Sequence, residues 1–406
     1  MSSVVPEGWE LKPLSALADY HNGRAFKPED WSKEGLPILR IAQINNPFRE
    51  TDYYIGSDIL DRHLIRKGDL VFSWSATLKA ILWKEYNAIL NQHIFKVIEK
   101  SHISRIFLQQ LLEYSIEKLE ESSHGSTMKH IKKGVLDEFH CPIPPLPEQK
   151  KIGSILTSVD EVIENTSRQI NKLQDLKKAT MNELLTKGIG HTEFKNSELG
   201  RIPKSWEVKK LGVFAKVKGG KRLPKGEQFS ETMTEYPYIR VSDFENQGIN
   251  KTRLKYVSGR VRESIKRYVI SSKDLYISIA GSIGIIGTIP DELSGSLLTE
   301  NAAKIVLESN VITRDFLKCN LSSEIAQSQF RQEKGTGGGV PKLALFRIEE
   351  TLVALPKIDE QLQISSTIAS LDKAISDMDS KLSQTQSLKK SLVQDLLTGK
   401  VRVNVN

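Results

Sequence analysis

Two segments of the chain carry apolar residues at helical spacing, three and four positions apart. Residues 148–186 form the first segment and residues 360–398 the second, and no proline interrupts either one. This pattern predicts two long amphipathic helices, with prolines before the first and a glycine after each. The predicted apolar positions are Ile152, Leu156, Val159, Ile163, Ile170 and Leu173 in the first helix, and Ile364, Ile368, Leu371, Ile375, Met378 and Leu382 in the second.

Each apolar stripe is narrow, which is typical of a helix that packs against one partner helix. Thirty-nine residues, at about 1.5 Å of rise each, give a rod of roughly 58 Å. We therefore predict that the two helices form an antiparallel coiled coil. The alternative is that each helix packs only on the domain that precedes it.

The rest of the chain is also repeated. Trp9 corresponds to Trp206, "PILRIAQI" to "PYIRVSDF" and "KGDLVFSW" to "SKDLYISI", with an offset that grows from 197 to 205. Over the helices the offset is a constant 212, with 14 identities in 39 positions. The run "YISIAGSIGIIGTI" predicts a buried strand pair, because it is too short and too rich in glycine to span a bilayer.

These patterns predict an α+β protein with two homologous α/β domains and two helical spacers, related by a pseudo-two-fold axis. The predicted segments are 1–146 (first globular domain), 147–187 (central spacer), 188–355 (second globular domain) and 356–406 (C-terminal spacer). Because the helical segments accept no insertion relative to each other, we expect their length to matter.

The net charge of +8 is concentrated in one segment. Between Arg201 and Arg260 there are 14 Lys and Arg against 6 Asp and Glu, with seven aromatic residues among them. A basic surface with aromatic residues favours a polyanion partner, most simply a nucleic acid, although a solvated basic face is the alternative. The two cysteines, Cys141 and Cys319, form no CxxC motif, and no apolar run resembles a signal peptide, so we expect a cytoplasmic protein.

Basic loops at corresponding places in the two domains are the candidate DNA contacts. A glycine beside a cation would let the backbone approach a phosphate, although each loop could also be a solvated turn or connector. The candidates are Arg24, Lys27, Thr127, Lys129, Lys132, Lys218, Lys221, Arg222, Lys225, Thr336 and Lys342. Arg40 and Arg240 correspond within apparent strands, where pairing with a carboxylate and contact with DNA remain open, whereas Trp9 and Trp206 are expected core anchors.

The sequence contains no evident catalytic set. "GTGGGVPKL" lacks the Gly-Lys-Ser/Thr ending of a phosphate-binding loop, and the eight histidines form no metal-binding pattern. These absences favour a recognition protein. Two alternatives stay open: a self-contained enzyme with a nucleotide or methyl-donor pocket, and a coiled-coil adaptor that joins proteins only.

Several strings resemble the specificity subunit of type I restriction-modification enzymes. They are "PPLPEQKKI" and "KIDEQLQI", the helix ends "LLTKG" and "LLTGKVRV", and the join "HTEFKNSELGRIPKSWEVKKLG". The resemblance covers the whole chain. The second copy departs mildly, with Lys357 and Asp359 where the first has Pro145 and Pro147.

The resemblance implies a non-catalytic subunit that binds double-stranded DNA. The two globular domains, 1–146 and 188–355, would be target-recognition domains that each read one half of a split, asymmetric target. The paired helices would set the gap between the halves and receive two methyltransferase subunits. Restriction subunits would complete the complex. The resemblance implies no cofactor in this chain: S-adenosylmethionine would belong to the methyltransferase partner, and ATP and Mg²⁺ to the restriction partner.

Overall fold

The structure is a computed structural model that describes residues 5–121, 133–245, 247–332 and 342–405. The chain divides into unit 1, which comprises Met1–Arg168 and Asp379–Asn406, and unit 2, which comprises Gln169–Met378. Each unit therefore combines one of the predicted recognition domains with part of each predicted long helix.

Unit 1 is built on short strands with buried apolar side chains. Its strands are β1 Glu10–Pro13, β2 Ala18–Asn22, β3 Leu36–Leu39, β4 Tyr53–Tyr54, β5 Leu64–Ile65, β6 Leu70–Ser73, β7 Lys79–Leu82, β8 Ala88–Leu90, β9 Ile94–Glu99 and β10 His140–Ile143. Its helices are α1 Ile41–Asn45, α2 Arg105–Glu121, α3 Lys133–Glu138, the first part of α4 Leu146–Lys187 and the last part of the long C-terminal helix Ile358–Leu397. One antiparallel sheet has the order β2-β9-β6-β7, and a second has the order β4-β3-β8-β5 with β3 and β8 parallel.

Unit 2 repeats this arrangement. Its strands are β11 Phe194–Ser197, β12 Gly200–Pro203, β13 Glu207–Lys210, β14 Ala215–Gly219, β15 Pro237–Ile239, β16 Phe244–Glu245, β17 Gly248–Ile249, β18 Lys255–Tyr256, β19 Val269–Ile270, β20 Leu275–Ser278, β21 Ile286–Thr288, β22 Ser296–Leu298, β23 Ala302–Leu307 and β24 Leu352–Leu355. The helices that follow α4 are α5 Gly259–Ser264, α6 Arg314–Ser322, α7 Glu324–Gln332, α8 Leu345–Glu349 and α9 Ile358–Leu397.

The four-stranded sheets of the two units correspond strand for strand. The order β14-β23-β20-β21 repeats β2-β9-β6-β7, and β18-β15-β22-β19 repeats β4-β3-β8-β5. The pair β1–β10 likewise corresponds to β13–β24. The predicted strand pair is confirmed as β20 and β21, which pair antiparallel with Leu275 opposite Thr288.

The two long helices are confirmed, and they run antiparallel within each unit. In unit 1, Ile152 and Leu156 of α4 share an apolar core with Leu396 of α9. Farther along α4, Asp160 Oδ1 lies 2.5 Å from Lys389 Nζ of α9. As the residue numbers rise along α4 they fall along α9, so the helices have opposite directions.

Unit 2 contains the equivalent contacts at an offset of 212. Lys177 Nζ of α4 lies 2.5 Å from Asp372 Oδ1 of α9. Ile364 and Ile368 of α9 share the core of this unit with Leu185 of α4. The same pair of charges and the same kind of apolar contact therefore join the helices in both units.

The apolar positions of the helices are not all used alike. Ile152, Leu156, Ile364 and Ile368 are buried in the domain cores as well as against the other helix. Ile170 is also buried. The remaining predicted positions are half-buried, namely Val159, Ile163, Leu173, Leu371, Ile375, Met378 and Leu382.

The repeated Glu-Gln pair at the start of each long helix fastens the helix to its domain. Trp9 Nε1 donates to Glu148 Oε2 at 3.1 Å, and Trp206 Nε1 donates to Glu360 Oε2 at 3.0 Å. Gln149 Nε2 donates to the Pro144 carbonyl at 2.8 Å, and the corresponding Gln361 Nε2 donates to the Pro356 carbonyl at 3.0 Å. The two tryptophans are buried, which confirms the prediction that they anchor the domain cores.

Candidate nucleic-acid interface

In unit 2, the ends of several strands and a turn lie together on one side of the sheet that contains β14, β23 and β20, where these strands begin or end. β14 and β20 end at this edge and β23 begins there, because each of the two is antiparallel to β23. The turn 299–301 leads from β22 into β23 at the same place. We call this region edge 2, comprising residues 218–222, 279–281, 299–301 and Lys342.

Backbone hydrogen bonds hold edge 2 in one conformation. The N–H of Gly220 donates to the Ala302 carbonyl at 2.9 Å, and the N–H of Lys221 donates to the Leu298 carbonyl at 2.8 Å. On the other side of the turn, the N–H of Ile279 donates to the Asn301 carbonyl at 2.8 Å. The turn is thus fixed between two neighbouring segments, and its side chains project from a rigid frame.

Unit 1 has the same frame, which we call edge 1, comprising residues 21–25, 74–76 and 91–93. The N–H of Gly23 donates to the Ile94 carbonyl at 3.1 Å, and the N–H of Arg24 donates to the Leu90 carbonyl at 2.7 Å. The N–H of Trp74 donates to the His93 carbonyl at 3.4 Å. Each bond has its counterpart in edge 2.

The glycine in each basic loop is required by close packing against the backbone of the neighbouring turn. A Cβ on Gly23 would lie 2.3 Å from the Asn91 carbonyl oxygen, and one on Gly220 would lie 2.0 Å from the Thr299 carbonyl oxygen. Contacts this short exclude any side chain at either position, because the opposing atoms are backbone. The structure thus gives a packing reason for both glycines, and the approach of a phosphate to these loops stays a prediction.

A residue with a positive φ angle lies in the loop between β6 and β7 of unit 1 and in the corresponding loop between β20 and β21 of unit 2. Ala76 of edge 1 has φ of 59°, and Gly281 at the corresponding position of edge 2 has φ of 72°. An alanine in this left-handed region is strained, whereas a glycine is not. The backbone shape is thus kept in unit 1 at an energetic cost.

Four of the predicted contact residues meet at edge 2. Lys218 is exposed on β14, and the Lys221 Nζ lies 5.7 Å from the centroid of the Tyr268 ring. Arg222 Nε donates to Glu300 Oε1 at 2.7 Å. Lys342 is exposed and its backbone pairs with that of Ala280.

The remaining predicted residues lie apart or outside the described part of the chain. Lys225 is exposed farther along the loop that begins at edge 2, and Lys27 is exposed near Glu29, 3.8 Å from its carboxylate. Four further predicted residues lie outside the described residues, namely Thr127, Lys129, Lys132 and Thr336.

Arg24 of edge 1 is bound by its own unit. Its Nη1 donates to Asp58 Oδ2 at 2.6 Å and its Nη2 lies 3.5 Å from Asp30 Oδ1. Its guanidinium also stacks 4.5 Å from the centroid of the Tyr54 ring. The charge of Arg24 is therefore largely compensated within unit 1, and its contact with DNA stays a prediction.

Other cations surround His63, next to edge 1. Burial lowers the pKa of His63, and the nearby charges of Arg62, Arg24 and His21 lower it further. The imidazole is therefore held in its neutral form.

The arginines that correspond within the apparent strands both pair with carboxylates. Arg40 Nη1 lies 2.6 Å from Asp52 Oδ2, and Arg240 Nη2 lies 2.7 Å from Asp243 Oδ1. Asp243 is fully buried. Of the two possibilities that the sequence left open, the structure shows the ion pair.

Sequence reasoning missed the residues of the turns themselves. Asn91–Gln92–His93 in edge 1 and Thr299–Glu300–Asn301 in edge 2 follow buried strands that end in leucine. Aligning "AILNQHI" with "SLLTENA" would have revealed them as equivalent turns with different polar side chains. The turns escaped notice because neither contains a cation.

Two other searches of the described residues are negative. They contain no group of three or more His, Cys, Asp or Glu placed to hold a metal ion. Among their helices, none is long and apolar enough to cross a membrane.

Comparison with known proteins identifies the family. The model of the type I restriction modification DNA specificity domain matches residues 6–175 and again 203–385. The chain belongs to this family. Each match contains one of the two edges, so the repeat seen in the sequence is a repeat of the family domain.

Similar curated proteins span nearly the whole chain. The MjaVIII specificity subunit of a type I restriction enzyme from Methanocaldococcus jannaschii is 27% identical over 417 residues, which cover 99% of this chain and 95% of that protein. The EcoBI specificity subunit from Escherichia coli is 22% identical, over 97% of this chain and 85% of its own length.

A solved structure supports the fold. The S subunit of a type I restriction-modification system from M. genitalium superposes with a TM-score of 0.62 and 17% identity, covering 96% of both chains. This similarity confirms the predicted fold class of two recognition domains with long helices.

Proposed function

We propose that this chain is the DNA specificity subunit of a type I restriction-modification complex and that each unit reads one half of a bipartite target. The observation that supports this most strongly is the pair of edges. Both edges keep the same backbone frame, down to the glycine contact and the flanking hydrogen bonds. A shared frame suits two readers that approach the same kind of ligand in the same way.

The side chains on the two frames differ, so the two half-sites differ. Edge 1 presents Asn91, Gln92 and His93, whereas edge 2 presents Thr299, Glu300 and Asn301. Amides both donate and accept hydrogen bonds, carboxylates only accept them, and an imidazole has one donor and one acceptor nitrogen, so these groups suit different base edges in the major groove. Two such sets of side chains therefore recognise two different sequences, and the target is asymmetric.

The two long helices set the unread gap between the half-sites. Their alignment at an offset of 212 contains no insertion, and both units use the same Asp–Lys pair between the helices. A helix whose length had no function would tolerate insertions of a turn, as the loops of the recognition domains do.

The chain supplies recognition and leaves the chemistry to its partners. Two methyltransferase subunits that carry S-adenosylmethionine dock on the helices, and restriction subunits that use ATP and Mg²⁺ complete the complex. The complex acts in the cytoplasm, in keeping with two buried, unpaired cysteines.

Selection of DNA from a randomised duplex library tests this proposal. The full chain, co-expressed with its methyltransferase subunits, should enrich two short motifs separated by a constant number of unspecified base pairs. Insertion of four residues into both helices should change that gap and leave both motifs intact. One uninterrupted motif, or no motif, would refute the bipartite reading, and an unchanged gap would refute the ruler role alone.

A separate experiment addresses the alternative of a self-contained enzyme. Equilibrium dialysis of the isolated chain with S-adenosylmethionine should show no saturable binding. Saturable binding would contradict the assignment of the cofactor to the partner.

A further inference from the structure

Arg222 of edge 2 combines high exposure with a fixed orientation. Its side chain is 78% exposed, yet its Nε donates to Glu300 Oε1 at 2.7 Å. An exposed arginine without such a bond would sample many rotamers and lose that freedom on binding a ligand. The bond to Glu300 reduces this loss before any ligand arrives.

Glu300 is itself held in place. Its side chain is only 25% exposed, and Thr299 Oγ1 donates to Glu300 Oε2 at 3.0 Å. The N–H of Thr299 donates to the Ile239 carbonyl at 3.0 Å, which fixes the turn on its strand. Burial acts to raise the pKa of Glu300, but the hydrogen bond with Arg222 and others outweigh burial and lower the pKa. The carboxylate is therefore ionised at neutral pH.

The pair is absent from edge 1, although edge 1 has the same frame. In register with the basic loops and turns, Ala25 corresponds to Arg222 and Gln92 corresponds to Glu300. Gln92 Nε2 lies 3.2 Å from His93 Nε2 instead. Because unit 1 forms its edge without either charged residue, the Arg222–Glu300 pair is not needed for the fold.

The hydrogen bond to Glu300 makes the guanidinium of Arg222 better suited to a base edge than to a phosphate. A carboxylate next to the guanidinium cancels much of the charge that would attract a phosphate. It leaves the two terminal amino groups, Nη1 and Nη2, as directed donors at the exposed end. Guanine presents two acceptors, O6 and N7, side by side in the major groove, and arginine is their usual bidentate partner.

We propose that Arg222 reads a guanine in the half-site of unit 2 and that Glu300 positions it. This inference rests on the proposed function, because it requires that edge 2 contacts DNA. It adds the base, the reading residue and the positioning residue.

Library selection and competition binding with the full chain in its complex test this inference. Arg222→Ala should reduce the preference for guanine over the other bases at one position of one half-site, by roughly ten- to a hundred-fold. Arg222→Lys should recover only part of the preference, because an ammonium group lacks the planar fork. Glu300→Ala should weaken the same preference, and Glu300→Gln, which keeps an acceptor for Nε, should weaken it less.

Arg260→Ala is the matched control. Arg260 is 82% exposed in unit 2 and also pairs with a carboxylate, that of Glu227. Its replacement should leave the guanine preference intact. None of these variants should change the base preference in the half-site read by unit 1. Unchanged thermal unfolding of the Arg222 variants would confirm that they fold.

Three outcomes would overturn the inference, and they differ from a failure of the proposed function. Uniform weakening across all sequences, with a salt slope smaller by about 0.9, would mark Arg222 as a phosphate contact. Unchanged binding, or an equal loss in Arg260→Ala, would also refute it. In each of these cases the wild-type complex would still select a bipartite motif, whereas loss of that motif in the wild type would refute the proposed function itself.

Discussion

The last turns of α9 belong to the core of unit 1, although most of that core comes from the N-terminal part of the chain. Leu396 is 4% exposed and shares this core with Ile152 and Leu156. Replacement of a buried leucine by alanine costs about 2–5 kcal/mol, depending on how far the site collapses around the cavity. Leu396 lies one residue before the end of the helix, where collapse is easier, so we expect about 2–3 kcal/mol for Leu396→Ala.

Hydrogen exchange of the full chain, read by mass spectrometry, assigns this loss to one unit. A loss of about 2–3 kcal/mol should speed exchange roughly 30- to 150-fold for amides that exchange through opening of that unit. β6 in the core of unit 1 should show this change, and β20 in unit 2 should not. Leu185→Ala, in the core of unit 2, should give the reciprocal result.

Leu388→Ala is the control for the same helix. Its side chain is 54% exposed, so the change in unfolding free energy should stay within about 0.5 kcal/mol. Faster exchange in β20 for Leu396→Ala, or no change in either strand, would refute the assignment of this helix end to unit 1.

Three further predictions concern strain, acid and thiols. Ala76→Gly should stabilise unit 1 by about 0.5–1 kcal/mol in denaturant unfolding, because relief of the left-handed strain exceeds the added entropy of the unfolded chain; a loss of stability would contradict this. Burial acts to raise the pKa of Glu148, but hydrogen bonds, first that of Arg402, outweigh burial and lower the pKa from its usual 4.5. The contribution of Glu148 to the free energy of unfolding should therefore be full above pH 4.5 and fade as pH falls through the folded pKa. Unfolding curves of wild type and Glu148→Gln should therefore converge in acid, and a constant difference would be the contrary result. Burial raises the pKa of Cys141 to about 12 and of Cys319 to about 11, so neither thiol should react with iodoacetamide at pH 8 before unfolding, as mass spectrometry of the labelled chain would show.

The sequence was sufficient to predict the features that depend on periodicity. The apolar spacing predicted both long helices, and the run around Leu275 predicted the β20–β21 pair. The constant offset of 212 predicted equivalent helices, which the matching Asp–Lys pairs confirm. These features arise from local spacing and from alignment of one half of the chain with the other, and both are visible in one sequence.

Contacts between distant side chains could not be predicted in the same way. Arg402 binds both carboxylate oxygens of Glu148, at 2.8 Å each, across 254 positions of sequence. Both glutamates accept a hydrogen bond from a tryptophan, but Glu360 in unit 2 meets His191 where Glu148 meets Arg402. Nothing in the local pattern distinguishes these two glutamates, because their partners are set by where the chain returns in space.

The candidate site was predicted only in part, for a related physical reason. Net charge drew attention to the cations of edge 2, but a cation count cannot show that Arg24 pairs with Asp58 and is only 22% exposed, whereas Arg222 pairs with Glu300 and is 78% exposed. The turn that contains Glu300 carries no positive charge, and its importance follows from its place beside Arg222.

DNA selection with one variant in each unit shows whether each unit reads its own half of the target. Gln92→Ala alters the turn of edge 1 and Arg222→Ala alters the loop of edge 2, and both leave the backbone frames intact. We expect each variant to change base preference in one half-site only, and the two variants to affect opposite halves across an unchanged gap. If either variant changed both halves, or if both changed the same half, the assignment of one reader to each unit would be contradicted.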